Sequence, residues 1–142
     1  VLKLILRTAL RVKLSPLLDQ IDWELNLDGS HEVYIPIDGW IAMIHREPSF
    51  KGLTFSQAIE TEEGIPIWME CSIYRSGLIQ PITVREYYAE LKTDHPIWMQ
   101  MPRRMLRHKT LQQCARLAFG IYVPELKIPP LPPIMKSQRC CT

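Results

Sequence analysis

The chain has 142 residues, 46% of them hydrophobic and 23% charged, with a formal net charge of +2. That suits one soluble globular domain with a modest core, and the net charge alone is too small to imply nucleic acid. The longest early apolar run, Leu4-Ile5-Leu6 between Lys3 and Arg7, is far short of a membrane span or a signal-peptide core.

Val1–Val12 is rich in Leu, Ile and Ala, lacks Gly and Pro, and predicts a helix with Lys3, Arg7 and Arg11 in one stripe. The chain opens within this helix-like sequence, as a fragment of a longer protein would. Ser15-Pro16 ends the helix or starts a short turn. "IDWELNL" (21–27) alternates apolar and polar residues, so a strand is expected with Ile21, Trp23, Leu25 and Leu27 on one face. Asp28-Gly29 signals a hairpin and "HEVYIPI" (31–37) the returning strand, with Pro36 near its end or on a sheet edge.

Asp38 is expected to cap a helix over 39–46, with Pro48 and Gly52 bounding the loop after it. "LTFSQAIE" (53–60), "IPIWMECSIYR" (65–75) and "LIQPITV" (78–84) predict three antiparallel strands with turns at Glu63-Gly64 and Ser76-Gly77. "REYYAELK" (85–92) predicts a short helix. Pro102 suits the first turn of a longer helix and Gly120 its C-terminal cap. The fold class is therefore α+β, with small antiparallel β-sheets and hairpins carrying packed helices and a long basic helix. The boundary falls at Tyr122: residues 1–122 form the core, and 123–142, with "VPELKIPPLPPIMK", form a Pro-rich extended tail of polyproline-like geometry.

Charge distribution says more than net charge. From His95 to Pro124 there is no Asp or Glu but five Lys or Arg. Arg103, Arg104 and Arg107 lie at the predicted start of the long helix, whose N-terminus is already positive. Two readings compete: a solvated basic helix end, or an anion site in which free backbone N–H groups and guanidinium forks take phosphate. The acid-free surroundings favour a polyanion. Arg103 and Arg107 share one helix face and Lys109 and Arg116 another, about 150° away. Met105, Leu111, Cys114, Leu117 and Ala118 are expected to supply the buried side. Arg75, Arg85 and Lys92 precede this helix, with Tyr74, Tyr87, Tyr88 and Trp98 interleaved, a mixture that suits single strands. Core packing is the commoner role of such aromatics.

Motifs of bond-making chemistry are lacking. There is no G-x-x-x-x-G-K-[ST] loop and no H-E-x-x-H, and His31, His45, His95 and His108 are scattered. Cys71 and Cys114 read as small core residues, and Cys140 and Cys141 complete a set with no C-x-x-C pair. A reducing, cytosolic setting follows. Asp38, Glu60, Glu62 and Glu63 show no ligand spacing. No cofactor is therefore expected, and a Mg²⁺ requirement is not readable.

Three stretches carry a resemblance. "IDGW" (37–40) is similar to a Val-Asp-Gly-Trp helix entry, "CSIYR" (71–75) to a Cys-Arg-Ile-Tyr-Arg strand, and "PRRMLRHKTLQQCARLAFG" (102–120) nearly residue for residue to a family signature. Over residues 37–122 the chain resembles the RecT/Red beta family of phage single-strand annealing proteins, and Leu14-Ser15-Pro16 matches that family's Leu-Asn-Pro more weakly. The resemblance implies an ATP-independent, non-enzymatic protein that binds single-stranded DNA and anneals it to its complement. It implies a homo-oligomer, ring or helical filament, with DNA in a basic groove across subunits. It also implies a bacterial cytoplasmic setting, no membrane, and a phage exonuclease and host single-strand-binding protein as partners. By position, the family's DNA-contacting cations fall on Arg103, Arg104, Lys109 and Arg116, with Lys92 and Arg107 beside them. Asp19 stands where the family has a basic residue, and the loop from Lys92 to Trp98 is short. The Pro-rich tail replaces an acidic helix, so the partner-binding C-terminal region is expected to be missing.

Two other functions fit parts of the sequence. Pro129-Pro130-Leu131-Pro132 has the P-x-x-P form of an adaptor ligand, although a stiff tail has the same composition. A metal-dependent nuclease would need a carboxylate cluster that the spacing does not supply.

Overall fold

A computed structural model describes residues 1–123 and the backbone of 126–128. Its elements in chain order are α1 (Leu2–Val12), a 3-10 turn (Pro16–Leu18), β1 (Asp22–Leu25), β2 (His31–Tyr34), α2 (Ile37–His45), β3 (Phe50–Gln57), β4 (Thr61–Glu62), β5 (Ile65–Pro66), β6 (Trp68–Arg75), β7 (Ile82–Tyr87), α3 (Tyr88–Leu91), α4 (Ile97–Gln100), α5 (Pro102–Phe119) and β8 (Leu126–Ile128). The class is α+β with small antiparallel sheets, as expected.

The central sheet has the order β3-β6-β7, and the other two are β1-β2-β8 and the hairpin β4-β5. Cys71 pairs with Phe55 on one side and Val84 on the other, and Ile73 with Leu53 and Ile82. These residues share one face of the sheet, and α5 lies on the β6 and β7 part of it. On α5 the buried residues are Leu106, Thr110, Leu111, Cys114, Ala115 and Ala118, rows spaced by four that form one helical stripe. Two of the expected residues are not among them, since Leu117 is exposed and Met105 only half-buried. Thr110, Cys114, Ala115 and Ala118 are the small residues of this stripe, and Leu106 and Leu111 the large ones. Thr110 keeps its buried hydroxyl satisfied by donating to the Leu106 carbonyl at 2.7 Å.

The main core joins this layer to α1, α2 and β2 through Val12, Val33, Trp40, Met43 and Ile44. A second cluster, Ile65, Met69, Tyr88, Trp98 and Leu106, fills the space under the first half of α5. Cys71 and Cys114 are fully buried, and the Cys114 thiol donates to the Cys71 carbonyl at 3.3 Å. The hydrogen bond with Cys114 and burial hold the Cys71 thiol well above its ordinary range, the same hydrogen bond pulls Cys114 below it, and full burial keeps both sulfurs from solvent.

Several local expectations change. Helix α2 begins at Ile37 with Pro36 as its cap, and Asp38 sits in the first turn without a side-chain capping bond. Gly52 lies inside β3 at a register shift between Phe50 and Gly52 rather than in the preceding loop. Arg85, Glu86 and Tyr87 belong to β7, paired with Glu70, Met69 and Trp68, so the expected helix shrinks to Tyr88–Leu91. Pro81 lacks an N–H and the strand starts just after it, which displaces the whole element toward the C-terminus. Helix α4 was not expected. Of the four apolar residues expected on one strand face only Ile21, just before β1, is buried, while Trp23, Leu25 and Leu27 are exposed. Leu126–Ile128 pairs antiparallel with β2. The remaining expectations for the Pro-rich tail, including Pro129-Pro132, lie outside the described residues, as do Cys140 and Cys141.

Candidate nucleic-acid interface

Helix α5 starts at Pro102 with no side-chain cap and no acid in its first turn, and it ends at Gly120, whose φ of 63 is the left-handed C-cap conformation. Arg103 and Arg104 sit in the uncapped first turn and Arg107 in the next. The positive helix end is thus surrounded by fixed positive charge with nothing in the same turn to offset it.

The seven candidate cations divide into two groups. Lys92 donates to Glu62 at 3.3 Å and stands 5.2 Å from the Tyr88 ring. Arg75 has a positioning role: Nη1 donates to the Ala118 carbonyl at 2.7 Å, Nε to the Ser49 hydroxyl at 3.2 Å, and the guanidinium lies 5.5 Å from the Phe119 ring. It neutralises the negative end of α5 and ties that end to β6. We expect Arg75→Ala to cost about 1.5–3 kcal/mol, the usual worth of a charged hydrogen bond, while leaving the salt dependence of DNA binding unchanged. Urea unfolding and a salt titration check the two halves.

The other five lie on α5, and among the described residues none of them has a carboxylate partner. Arg103 donates to the Gly64 carbonyl at 2.6 Å, bringing the β4-β5 turn against the helix start. Arg104 reaches only the Met101 sulfur, at 3.5 Å. Arg107 borders a cleft between α2, β3 and α5. Arg116 lies 5.3 Å from the ring of buried Trp40, so the Trp of "IDGW" steers one of the candidate cations. Lys109 is half-buried. The expected aromatics divide in the same way: Tyr88 and Trp98 pack on each other in the second core, whereas Tyr74 and Tyr87 are exposed. Arg85 is paired with Glu70 at 3.0 Å and stacked over Trp68 at 3.8 Å.

Sequence reasoning passed over His108. Burial lowers its pKa below the ordinary 6.5, and Arg107 and Arg104 lower it further, against the opposing pull of Asp38. Protonation is therefore disfavoured in the folded chain. The corresponding stability is complete above pH 6.5, the unfolded value, and declines as pH falls below it toward the folded value. An anion bound by these arginines reverses the local field. We expect the His108 ring resonances to titrate below the ordinary value in the free protein and to move upward when inorganic phosphate or an oligonucleotide is added. An unchanged titration would mean that no anion sits there.

Among the described residues no group of three or more His, Cys, Asp or Glu is placed to hold a metal ion. No described helix is long and apolar enough to cross a membrane.

No family model matches the chain. Over part of its length the chain is nevertheless similar to a member of the RecT/Red beta family, in keeping with the motifs at 37–40, 71–75 and 102–120. The relationship rests on recombination protein Bet of Escherichia phage lambda, which is 36% identical over 97 residues, 61% of this chain. The matched stretch spans about a third, 34%, of that protein's length.

Proposed function

We propose that this chain is a phage recombination protein whose core, residues 1–122 with the β8 strand added at its edge, binds single-stranded DNA and anneals it to its complement without ATP. Phosphates lie along Arg103, Arg104, Arg107, Lys109 and Arg116, Lys92 stands at the margin, and Arg75 holds α5 in place. The single observation that supports this most is the set of five α5 cations with no carboxylate partner among the described residues, in a helix whose own N-terminus adds to their field. Each phosphate contact releases counterions, so affinity falls steeply with salt. Pairing specificity comes from the bases of the two strands, and no bond is made or broken. The two helix faces are served if neighbouring subunits of a ring or filament share one strand. Relationship to lambda recombination protein Bet supports the recombination role.

The test presents the protein at low salt with a short labelled strand and then its complement, followed by annealing kinetics and electron microscopy. Accelerated annealing with DNA-dependent rings or filaments is expected. Annealing no faster than that of the naked strands would overturn the proposal, and strand cleavage in Mg²⁺ or Mn²⁺ would replace it with a nuclease.

A further inference from the structure

Strand β3 is the edge of the central sheet, and α5 covers β6 and β7 rather than β3. On the inner face of β3, Phe50 and Leu53 pack in part against the main core. The remainder is an open cleft of about 530 Å³, walled by Ile41 of α2, Phe50, Leu53 and Phe55 of β3, and Arg107 and His108 of α5. Its floor is apolar, its cationic rim belongs to α5, and no carboxylate lines it. Phe50 is already engaged edge-on by His45 and Phe119, at 5.4 and 6.4 Å. Phe55 and Ile41 are 37% and 39% exposed and offer their surfaces to a ligand.

We propose that this cleft takes one unpaired nucleobase of the bound strand, stacked on Phe55 and Ile41, with the adjoining phosphate on Arg107. The inference rests on the DNA-binding reading above and adds a base subsite to it. Three features support it. The volume lies within the roughly 300–1,000 Å³ of small-ligand sites. A flat apolar body with an anion at one edge matches an apolar floor with a cationic rim, and the cleft is continuous with the proposed phosphate row through Arg107. Tyr88 and Trp98, the more obvious stacking candidates, are buried in the core. A base held here is withdrawn from pairing while its neighbours stay free, so the cleft would set the register of the strand on each protomer.

The experiment compares two labelled oligonucleotides of equal length, one of thymidines and one abasic throughout, by fluorescence anisotropy. Stacking of one base should make the wild type prefer the thymidine strand by roughly tenfold. The double variant Ile41→Ala, Phe55→Ala should bring the two strands within about twofold of each other, with abasic affinity unchanged. Arg107→Ala should weaken both strands and preserve their ratio. Equal binding of both strands by the wild type overturns the proposal, as does discrimination that survives the double variant, an outcome that would leave the cleft to a protein partner. Failure to bind either strand removes the DNA-binding reading itself. Should the double variant fold poorly, photocrosslinking of iodouracil-substituted DNA to the wild type decides: crosslinks at Ile41 or within Phe50–Gln57 support the subsite, and crosslinks confined to other segments refute it.

Discussion

Replacing Lys109 and Arg116 together by alanine is expected to abolish strand annealing and leave the fold intact. Lys109 makes no hydrogen bond or ion pair within the described chain, and Arg116 contacts only the Trp40 ring, at 5.3 Å. The structural loss should therefore be about 0.5–1 kcal/mol, the worth of an exposed cation–π contact. The binding loss is larger. Two charge-assisted bonds to phosphate at about 1.5–3 kcal/mol each correspond to at least a hundredfold in affinity, roughly. The slope of log affinity against log salt should also fall by about 1.4, taking about 0.7 per phosphate on a single strand. Circular dichroism, thermal unfolding and a salt series of binding curves measure these separately. A double variant that anneals like the wild type with an unchanged salt slope would remove α5 as the phosphate-binding element.

The second large effect is expected at Gly39→Ala. By local propensity alone this change favours α2, since alanine is better than glycine in a helix by about 0.8–1 kcal/mol. The tertiary structure reverses the sign. A methyl group at position 39 would collide with the backbone carbonyl oxygen of Gln20 and with Cγ2 of Ile35. Neither can yield easily. Gln20 closes the loop after α1, its amide bonded to the Ser15 carbonyl at 3.2 Å and its side-chain oxygen accepting from the Ser15 amide at 2.9 Å. Ile35 is itself buried. Overpacking of this kind costs about 1–3 kcal/mol, and α2 would shift away from the loop. That shift moves Trp40, and with it Arg116 and the wall of the cleft, so DNA binding should weaken together with stability. Urea unfolding of Gly39→Ala checks the sign. A stabilised variant would mean that the loop moves freely and that glycine in "IDGW" serves another purpose.

The division between helix faces has a bearing on assembly. Arg107 stands toward the cleft beside β3, whereas Arg116 stands beside Trp40, and one helix presents both. The exposed leucines of α1, Leu2, Leu6 and Leu10, form a row beside the Lys3, Arg7 and Arg11 stripe, and nothing within the described chain covers them. The structure accounts for the buried side of α1, Thr8 and Val12, and not for this row.

The sequence by itself determined the backbone elements whose signals are local. Pro102 and Gly120 delimit α5 because ring geometry and left-handed φ act within one or two residues. Asp28-Gly29 and Glu63-Gly64 mark hairpin turns for the same reason, and alternation identifies β6. The basic, acid-free composition of 103–116 was equally legible. Tertiary structure decided the rest, because it depends on partners far along the chain. "REY" at 85–87 carries no local preference strong enough to resist pairing with Trp68–Glu70, and it became strand instead of helix. Which face of α5 is buried was decided by its packing on β6 and β7, which takes in Leu106, Leu111, Cys114, Ala115 and Ala118 and leaves Leu117 outside. Arg75 and Arg104 look alike in sequence, yet the first reaches a carbonyl 43 residues away at the end of α5 and the second only the neighbouring Met101 sulfur. Whether a cation is engaged by its own protein or left for an anion is set by long-range contacts, and spacing along the chain does not carry that information.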